Sequence, residues 1–317
     1  KEISSNGNMN TVDVIFPFHP HLIYTNPELL MLLLKPLFEN QEAGNYPNQY
    51  SIHDIGAHYP NATGHPLGDD EAMPVEECGN MLIMILKYAQ RMGNTTYLNQ
   101  HYEILNQWTQ FLISDVLVPA SQLSTDDFAG HLANQTNLAL KGIIGIAAMA
   151  QIANLAGHEA DAANYTQTSN DYIEQWYTLG TSDLSDPHTT LAYGQNDTHG
   201  LLYNLFADRA LGLDLVKQEV YDQQSAYHPT VAEEFGVPLD TRGSLTKADW
   251  QMFAAAVADE GTRDMFIGKL AHWIDITPTS LALTDLYDTR TGEYPEITFA
   301  ARPVMGGTFA LLVLQGR

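Results

Sequence analysis

The strongest constraint in this sequence is an alternation between two kinds of helical segment. One kind is apolar nearly all the way round: Val75 to Ala89 reads VEECGNMLIMILKYA, Leu138 to Ala156 reads LALKGIIGIAAMAQIANLA, and Trp250 to Ala258 reads WQMFAAAVA. A helix without a polar face belongs in an interior. The other kind carries one apolar stripe. Leu98, Tyr102, Leu105, Trp108 and Leu112 recur at three- and four-residue steps, as do Phe266, Leu270 and Trp273, which predicts outer helices with a solvent face. A buried segment is predicted near 11–24 and an amphipathic one at 27–41. Pairs follow near 74–92 and 96–116, 134–156 and 159–179, 199–211 and 214–226, and 247–260 and 262–274, with a last apolar segment at 303–315. Buried-then-exposed hairpins at intervals of about 50–65 residues imply an all-α fold, an (α/α)6 toroid of six helical hairpins. That is eleven helices where six hairpins need twelve, so the missing partner is expected before Lys1. A superhelical solenoid is disfavoured because the repeats share no residue pattern.

Long connections at 42–73, 180–197, 227–246 and 276–301 are rich in loop-forming residues, and each precedes a buried helix. Loops of this length in a compact domain usually carry function. Their placement gathers them on one rim, beside the positive N-termini of the inner helices.

Charge narrows the partners. Asp plus Glu number 38 and Lys plus Arg 14, a formal net charge of −24. Without a basic stripe, neither nucleic acid nor an anionic membrane is an expected partner. Only 16% of residues are charged, so the acidity reflects missing lysines; such a surface suits solubility and tolerance of salt. The most apolar stretch, Gly142 to Gly157, is interrupted by Gln151 and Asn154 and predicts no membrane span. One cysteine, Cys78, excludes an internal disulfide. Five Asn-X-Thr sequons begin at Asn61, Asn94, Asn134, Asn164 and Asn196, against about two by chance. With a chain that opens at Lys1 without an apolar leader, they favour a secreted or cell-wall glycoprotein, modified at Asn61, Asn94, Asn164 and Asn196.

The candidate chemistry sits where inner helices begin. Glu76 and Glu77 follow Pro74 in MPVEECGN. First-turn carboxylates also simply complement a helix dipole, yet an acid opening an all-apolar helix must face a cavity or a partner. Two adjacent carboxylates cannot share one environment, so one is expected protonated and the other ionised. Asp126 and Asp127, in STDDFAGHLANQTN, precede the next inner helix, and Asp249 with Trp250, in LTKADWQMF, repeats the arrangement. Asp54 and Asp288 add loop carboxylates, and Tyr59, Trp250 and Tyr287 are candidate rim aromatics. Converging acids suit a hydrolase that activates water, and equally a site for an ammonium group. Arg242 and Arg302 stand out among scarce cations as partners for a substrate carboxylate. His53, Asp54 and His58 match no metal-ligand spacing, so no metal is expected. Cys78 reads as a small buried hydrophobe more readily than as a nucleophile. Phosphate loops, a GxSxG elbow and CxxC pairs do not occur in the sequence.

The runs NMNTVDVIFPFHP, YSIHDIGAHYP, MPVEECGNMLIM, STDDFAGHLANQTNLALKGIIGIAA, GVPLDTRGSLTKADWQMF and ARPVMGGTFALLVL resemble the C-terminal region of the fungal glutaminase A family, in order and over essentially the whole chain. The resemblance implies a glycosidase-like toroid forming one catalytic domain over 1–317, which packs against an N-terminal β-rich region of the same precursor. It further implies secretion, hydrolysis of L-glutamine to L-glutamate and ammonia, and no redox cofactor. Two mechanisms fit the residues. A carboxylate among Glu76, Glu77, Asp126 and Asp127 activates water while a second acid protonates the departing ammonia, or Ser124, Thr125 or Cys78 forms an acyl intermediate. The first is favoured because acids outnumber nucleophile–base pairs. The rival is a glycoside hydrolase with paired carboxylates on the same barrel. A site for a zwitterionic amino acid needs a cation and an anion a few ångströms apart, whereas a neutral-sugar site needs aromatic platforms. A non-catalytic helical scaffold has no reason to place acids at several buried helix starts.

Overall fold

A computed structural model describes residues 6–57, 61–185, 187–277, 280–296 and 299–315. Helices α1 (Val12–Thr25) and α2 (Pro27–Glu42) form the first hairpin, followed by α3 (Pro74–Met92). The outer segment predicted at 96–116 is broken at His101 into α4 (Thr96–Gln100) and α5 (Tyr102–Asp115). Then come α6 (Thr136–Ala156) with α7 (Glu159–Gly180), α8 (Leu205–Leu211) with α9 (Gln218–Val231), and α10 (Ala248–Val257) with α11 (Glu260–Ile276). A 3-10 segment, Pro303–Phe309, continues into α12 (Ala310–Gln315). The short strands β1 (Leu245–Lys247) and β2 (Leu286–Asp288) pair antiparallel beside α10, a feature the helical periodicity did not signal.

The inner ring closes. Helix α1 packs on α3, α3 on α6, α6 on α8, α8 on α10, and α10 on the 303–315 segment, which returns to α1. Outside them lie α2, α5, α7, α9 and α11, as the single-stripe pattern predicted. Every residue of α3 from Val75 to Ala89 is buried, which is why no polar face exists there. Left-handed glycines end α3, α6 and α8: Gly93 at φ 62°, Gly157 at φ 85° and Gly212 at φ 65°. Helix α6 is long and apolar enough to cross a membrane, but most of it is buried in the ring. A seam of small residues sets its distance from α3, since a Cβ on Gly145 would lie 3.2 Å from the Gly79 Cα and one on Gly142 3.1 Å from a Val75 methyl, while toward the end of α5 the latter would also meet a Val116 methyl at 2.2 Å.

The segment predicted at 199–211 is helical only from Leu205; the preceding residues are a buried loop in which Leu201 bonds to Leu239 through the backbone. The connection before α8 is correspondingly longer.

Candidate functional site

Each of the six inner segments delivers a polar group at the same end of the ring. Helix α1 supplies Asp13, α3 supplies Glu76, Glu77 and Asn80, α6 supplies Lys141, and α10 supplies Asp249 and Trp250. Tyr203 stands just before α8, and Arg302 just before the 303–315 segment. Connections between the helices add His53, Asp54, Asp126, Asp127 and Asp285, and the end of β1 adds Lys247. Three of the chain's 14 Lys and Arg residues, Lys141, Lys247 and Arg302, are buried here. Cations so placed are tolerable only among partners.

Glu76 and Glu77 are both fully buried, yet they point apart because successive helical residues sit about 100° from one another. Glu76 Oε1 meets Lys141 Nζ at 2.5 Å, and that ammonium also donates to Asn80 Oδ1 at 2.7 Å. Lys141 lies 3.8 Å over the Phe16 ring. Burial holds its pKa below the lysine value despite Glu76. Asn80, one turn on, donates to Glu77 Oε2 at 2.9 Å and so ties the two acids together.

Glu77 faces a different group. Its carboxyl, Asp13 and His53 offer ligand-type atoms that all lie within 4.8 Å of one another. Burial, then the Asp13 charge, pushes the Glu77 pKa well above the carboxylate range. His53 is held by Asp54, whose Oδ2 sits 2.8 Å from His53 Nδ1. Asp54 is itself fixed by His65 at 2.9 Å and by the Gly56 N–H at 2.6 Å. Burial opposes charge on His53, but Asp13, Asp54 and Glu77 outweigh it and raise its pKa well above 6.5.

Asp126 occupies the third environment. Tyr203 Oη donates to one oxygen at 2.9 Å and Trp250 Nε1 to the other at 3.2 Å, while the two rings stack at 4.1 Å. Burial raises its pKa to about 7, with Glu76 and Asp240 adding to the rise. Glu76, Asp126, Tyr203, Asp240 and Arg242 line one cleft of about 30 Å³, enough for one or two waters. At its mouth Arg242 donates from Nε to Asp240 Oδ1 at 3.0 Å and from Nη2 to Oδ2 at 2.6 Å. Beyond Arg242 a groove of about 250 Å³ runs past Phe128, Ala129 and Leu245. Larger hollows, about 430 Å³ at the opposite ends of α1 and α3 and about 500 Å³ between α6 and α7, lie away from these acids.

Lys247 joins the remaining charges, 3.2 Å from Asp249 and 3.8 Å from Asp285, and Arg302 reaches Asp285 at 3.4 Å. Burial raises Asp285 to about 6 and raises Asp249 as well. Asp127 is half-buried, and its carboxyl is raised by burial and by the charge of Asp13. Glu77, Asp127 and Asp249 therefore belong to one electrostatic cluster rather than to separate faces.

Several predicted positions do different work. Tyr287 is no rim aromatic: it is fully buried in β2, stacked on Trp273 at 3.9 Å, and its hydroxyl donates to the Phe235 carbonyl. Asp288 braces a turn, accepting from Ser244 and from the Arg290 and Thr291 N–H groups. Trp250 is fully buried and offers Asp126 a hydrogen bond rather than offering a substrate its ring face. Asp54 orients His53, and Arg302 pairs with Asp285. Cys78 is buried, accepts the Ser51 N–H at 3.3 Å, and burial pushes its thiol pKa up, as befits a core residue. Thr125 donates to Asp13 at 3.2 Å, and Ser124 lines the cleft while accepting the Asp126 N–H. His58 and Tyr59 lie outside the described residues. Asn61, Asn94 and Asn164 are exposed, whereas Asn196 is half-buried and donates to Asp183 at 2.6 Å.

Asp13, Lys141, Tyr203, Lys247 and Asp285 were not singled out by the sequence as catalytic or binding groups, and His53 was weighed only as a metal ligand and set aside. For Lys141 the signal was present, since a lysine inside an all-apolar helix requires a buried partner.

Residues 1–312 match the family model described as the glutaminase A six helical-hairpin domain. The chain belongs to this family. Within it, the chain is 67% identical over 316 residues to Glutaminase A of Aspergillus oryzae, covering 99% of this chain and 46% of that protein. It is 39% identical to a probable glutaminase of Arthroderma benhamiae, again covering 99% of this chain and 46% of that protein. The chain thus spans about half the length of the curated relatives it matches. A bacterial glucoamylase complexed with acarbose superposes with a TM-score of 0.64 at 9% identity, over 96% of this chain and 48% of that one. Cellobiose 2-epimerase from Bacillus thermoamylovorans gives 0.63 at 11% identity, over 99% and 89%. At such identities the likeness speaks to the toroid alone, and the (α/α)6 fold read from the sequence is the one observed.

Proposed function

We propose that this domain hydrolyses the side-chain amide of L-glutamine to L-glutamate and ammonia, with Glu76 as the base and Asp126 as the acid. The observation that carries the reading is the shared cleft, where an acid poised near pH 7 stands beside a carboxylate ion-paired with Lys141. Glu76 removes a proton from water, the hydroxide adds to the amide carbon, and the tetrahedral adduct collapses. Asp126 gives its proton to the leaving nitrogen, ammonia departs and leaves the new side-chain carboxylic acid, and the proton held on Glu76 passes to Asp126, which restores both groups.

Substrate recognition separates this reading from glycoside hydrolysis. Asp240 and Arg242 set an anion and a cation side by side at the cleft mouth, complementary to the ammonium and carboxylate of a free amino acid. Trp250 and Tyr287, the proposed sugar platforms, are both buried with their faces stacked on other rings. A cleft of about 30 Å³ is smaller than glutamine, so admitting it requires the Arg242 side of the cleft to open. The names of the relatives support the same substrate. The acidic composition and exposed sequons support secretion.

Ammonia release from L-glutamine, run beside reducing-sugar release from a glycan panel, tests the reading. Glu76→Gln and Asp126→Asn should each lower the first activity by about 10²-fold or more, in protein shown to be folded because Glu76→Gln also leaves the buried Lys141 without its anion. Sugar release without deamidation, or unchanged deamidation in both variants, would overturn it.

A further inference from the structure

We infer that Asp13, His53 and Glu77 form a binding site for one divalent transition-metal ion of the zinc type, placed beside the hydrolytic cleft. The donor set is one imidazole nitrogen and two carboxylates, all three side chains at least nine-tenths buried, a combination suited to Zn²⁺ and its neighbours. Their ligand-type atoms lie within 4.8 Å of one another. Atoms bound to one ion at about 2.1 Å stand about 3.4 Å apart in a tetrahedral arrangement and about 4.2 Å apart when opposed. The separation of His53 Nε2 from Asp13 Oδ1 is 3.4 Å. It is longer than an ordinary N–H···O hydrogen bond, in contrast to the 2.8 Å contact on the other side of the same ring.

Two further observations point to a ligand. Asp13 Oδ1 and Glu77 Oε1 are buried carboxylate oxygens without a hydrogen-bond partner among the described residues, and such atoms are costly to leave unsatisfied. The second is the shell behind the imidazole. Metal-binding histidines characteristically give their other nitrogen to a carboxylate, and Asp54 takes that position on His53, braced by His65 and Gly56. Thr125 and Asn80 hold the remaining oxygens of Asp13 and Glu77 at 3.2 Å and 2.9 Å. That leaves the free oxygens for the ion. Calcium fits less well, because it takes six to eight oxygens at longer distances.

The test uses the purified protein, stripped with a chelator and titrated with Zn²⁺ by calorimetry, with bound metal counted by mass spectrometry. The expected result is about one ion per chain, with binding lost in His53→Asn and Glu77→Gln and weakened roughly 10- to 100-fold in Asp54→Asn. Circular dichroism checks that each variant is folded. No stoichiometric uptake by the wild-type protein would overturn the site. So would retained binding in folded His53→Asn and Glu77→Gln, or uptake of Ca²⁺ but not Zn²⁺. If the variants do not fold, anomalous scattering from zinc-soaked wild-type crystals decides: a peak among the three side chains supports the site, and none there refutes it. Metal uptake is read without turnover, so its failure is distinguishable from failure of the glutaminase reading.

Discussion

Replacing Asp126 by asparagine separates activity from stability in opposite directions. The asparagine oxygen still accepts from Trp250, and its amide faces Tyr203, whose hydroxyl turns to accept; the packing is kept. A general acid contributes about 10²- to 10⁴-fold to turnover, and under the role proposed for Asp126 the variant should lose that. Stability moves the other way. The Asp126 pKa rises from 3.8 to about 7 on folding, and at 1.36 kcal/mol per pKa unit this corresponds to about 4 kcal/mol. Because the folded pKa is the higher one, the wild-type chain is fully favoured below about pH 4 and loses stability as pH climbs to about 7. The asparagine chain escapes that loss. With about 2.1 cal/mol/K of unfolding entropy per residue over 317 residues, it should melt about 6 °C above wild type at pH 8. The two should melt together near pH 4. Thermal melts across pH 4–9 and ammonia release at pH 6 measure both effects. A gap that does not vary with pH, or turnover reduced less than tenfold, would refute the assignment.

Wild-type deamidation should fall as pH rises through about 7, as Asp126 loses its proton, and a rate rising through that range in a pH profile contradicts its role. Lys141→Met leaves Glu76 buried without its cation and should cost about 3–5 kcal/mol, with most recovered in Lys141→Met/Glu76→Gln; denaturant melts of the two decide. Tyr287→Phe removes a hydroxyl bonded to Gln251 and Phe235, so it should lower stability by about 1–3 kcal/mol and leave KM for glutamine unchanged. Gly142→Ala drives a methyl into Val116 and should destabilise by about 1–3 kcal/mol in the same melts.

The helical ring was readable because burial leaves a plain mark: helices with no polar face must be inner, and those with one stripe must be outer. The acids opening α3 and α10 were readable for the same reason, being polar groups where the pattern demands apolar ones, and Asp126 and Asp127 were readable from their place in the connection before α6. What escaped was convergence across sequence distance. Asp13 sits between Val12 and Val14 and looks like a first-turn acid, and only packing of α1 beside the 42–73 loop brings it to His53. Tyr287 and Asp288 were misread because loop composition cannot tell that 286–288 pairs with 245–247 and turns its tyrosine into the core. The shortened α8 has a comparable cause, since its apolar residues from Leu201 onward are buried as loop by backbone bonding to Leu239.

The glycines where α3 meets α6 act as a spacer gauge for chemistry one turn away. Gly79 follows Glu76 by three residues, and Gly145 follows Lys141 by four. Any side chain added at that crossing wedges the helices apart and lengthens the short Lys141–Glu76 contact. A mutation there would look remote from the cleft on a map of the surface, yet its damage would register first at the Glu76 carboxylate, the group proposed as the base.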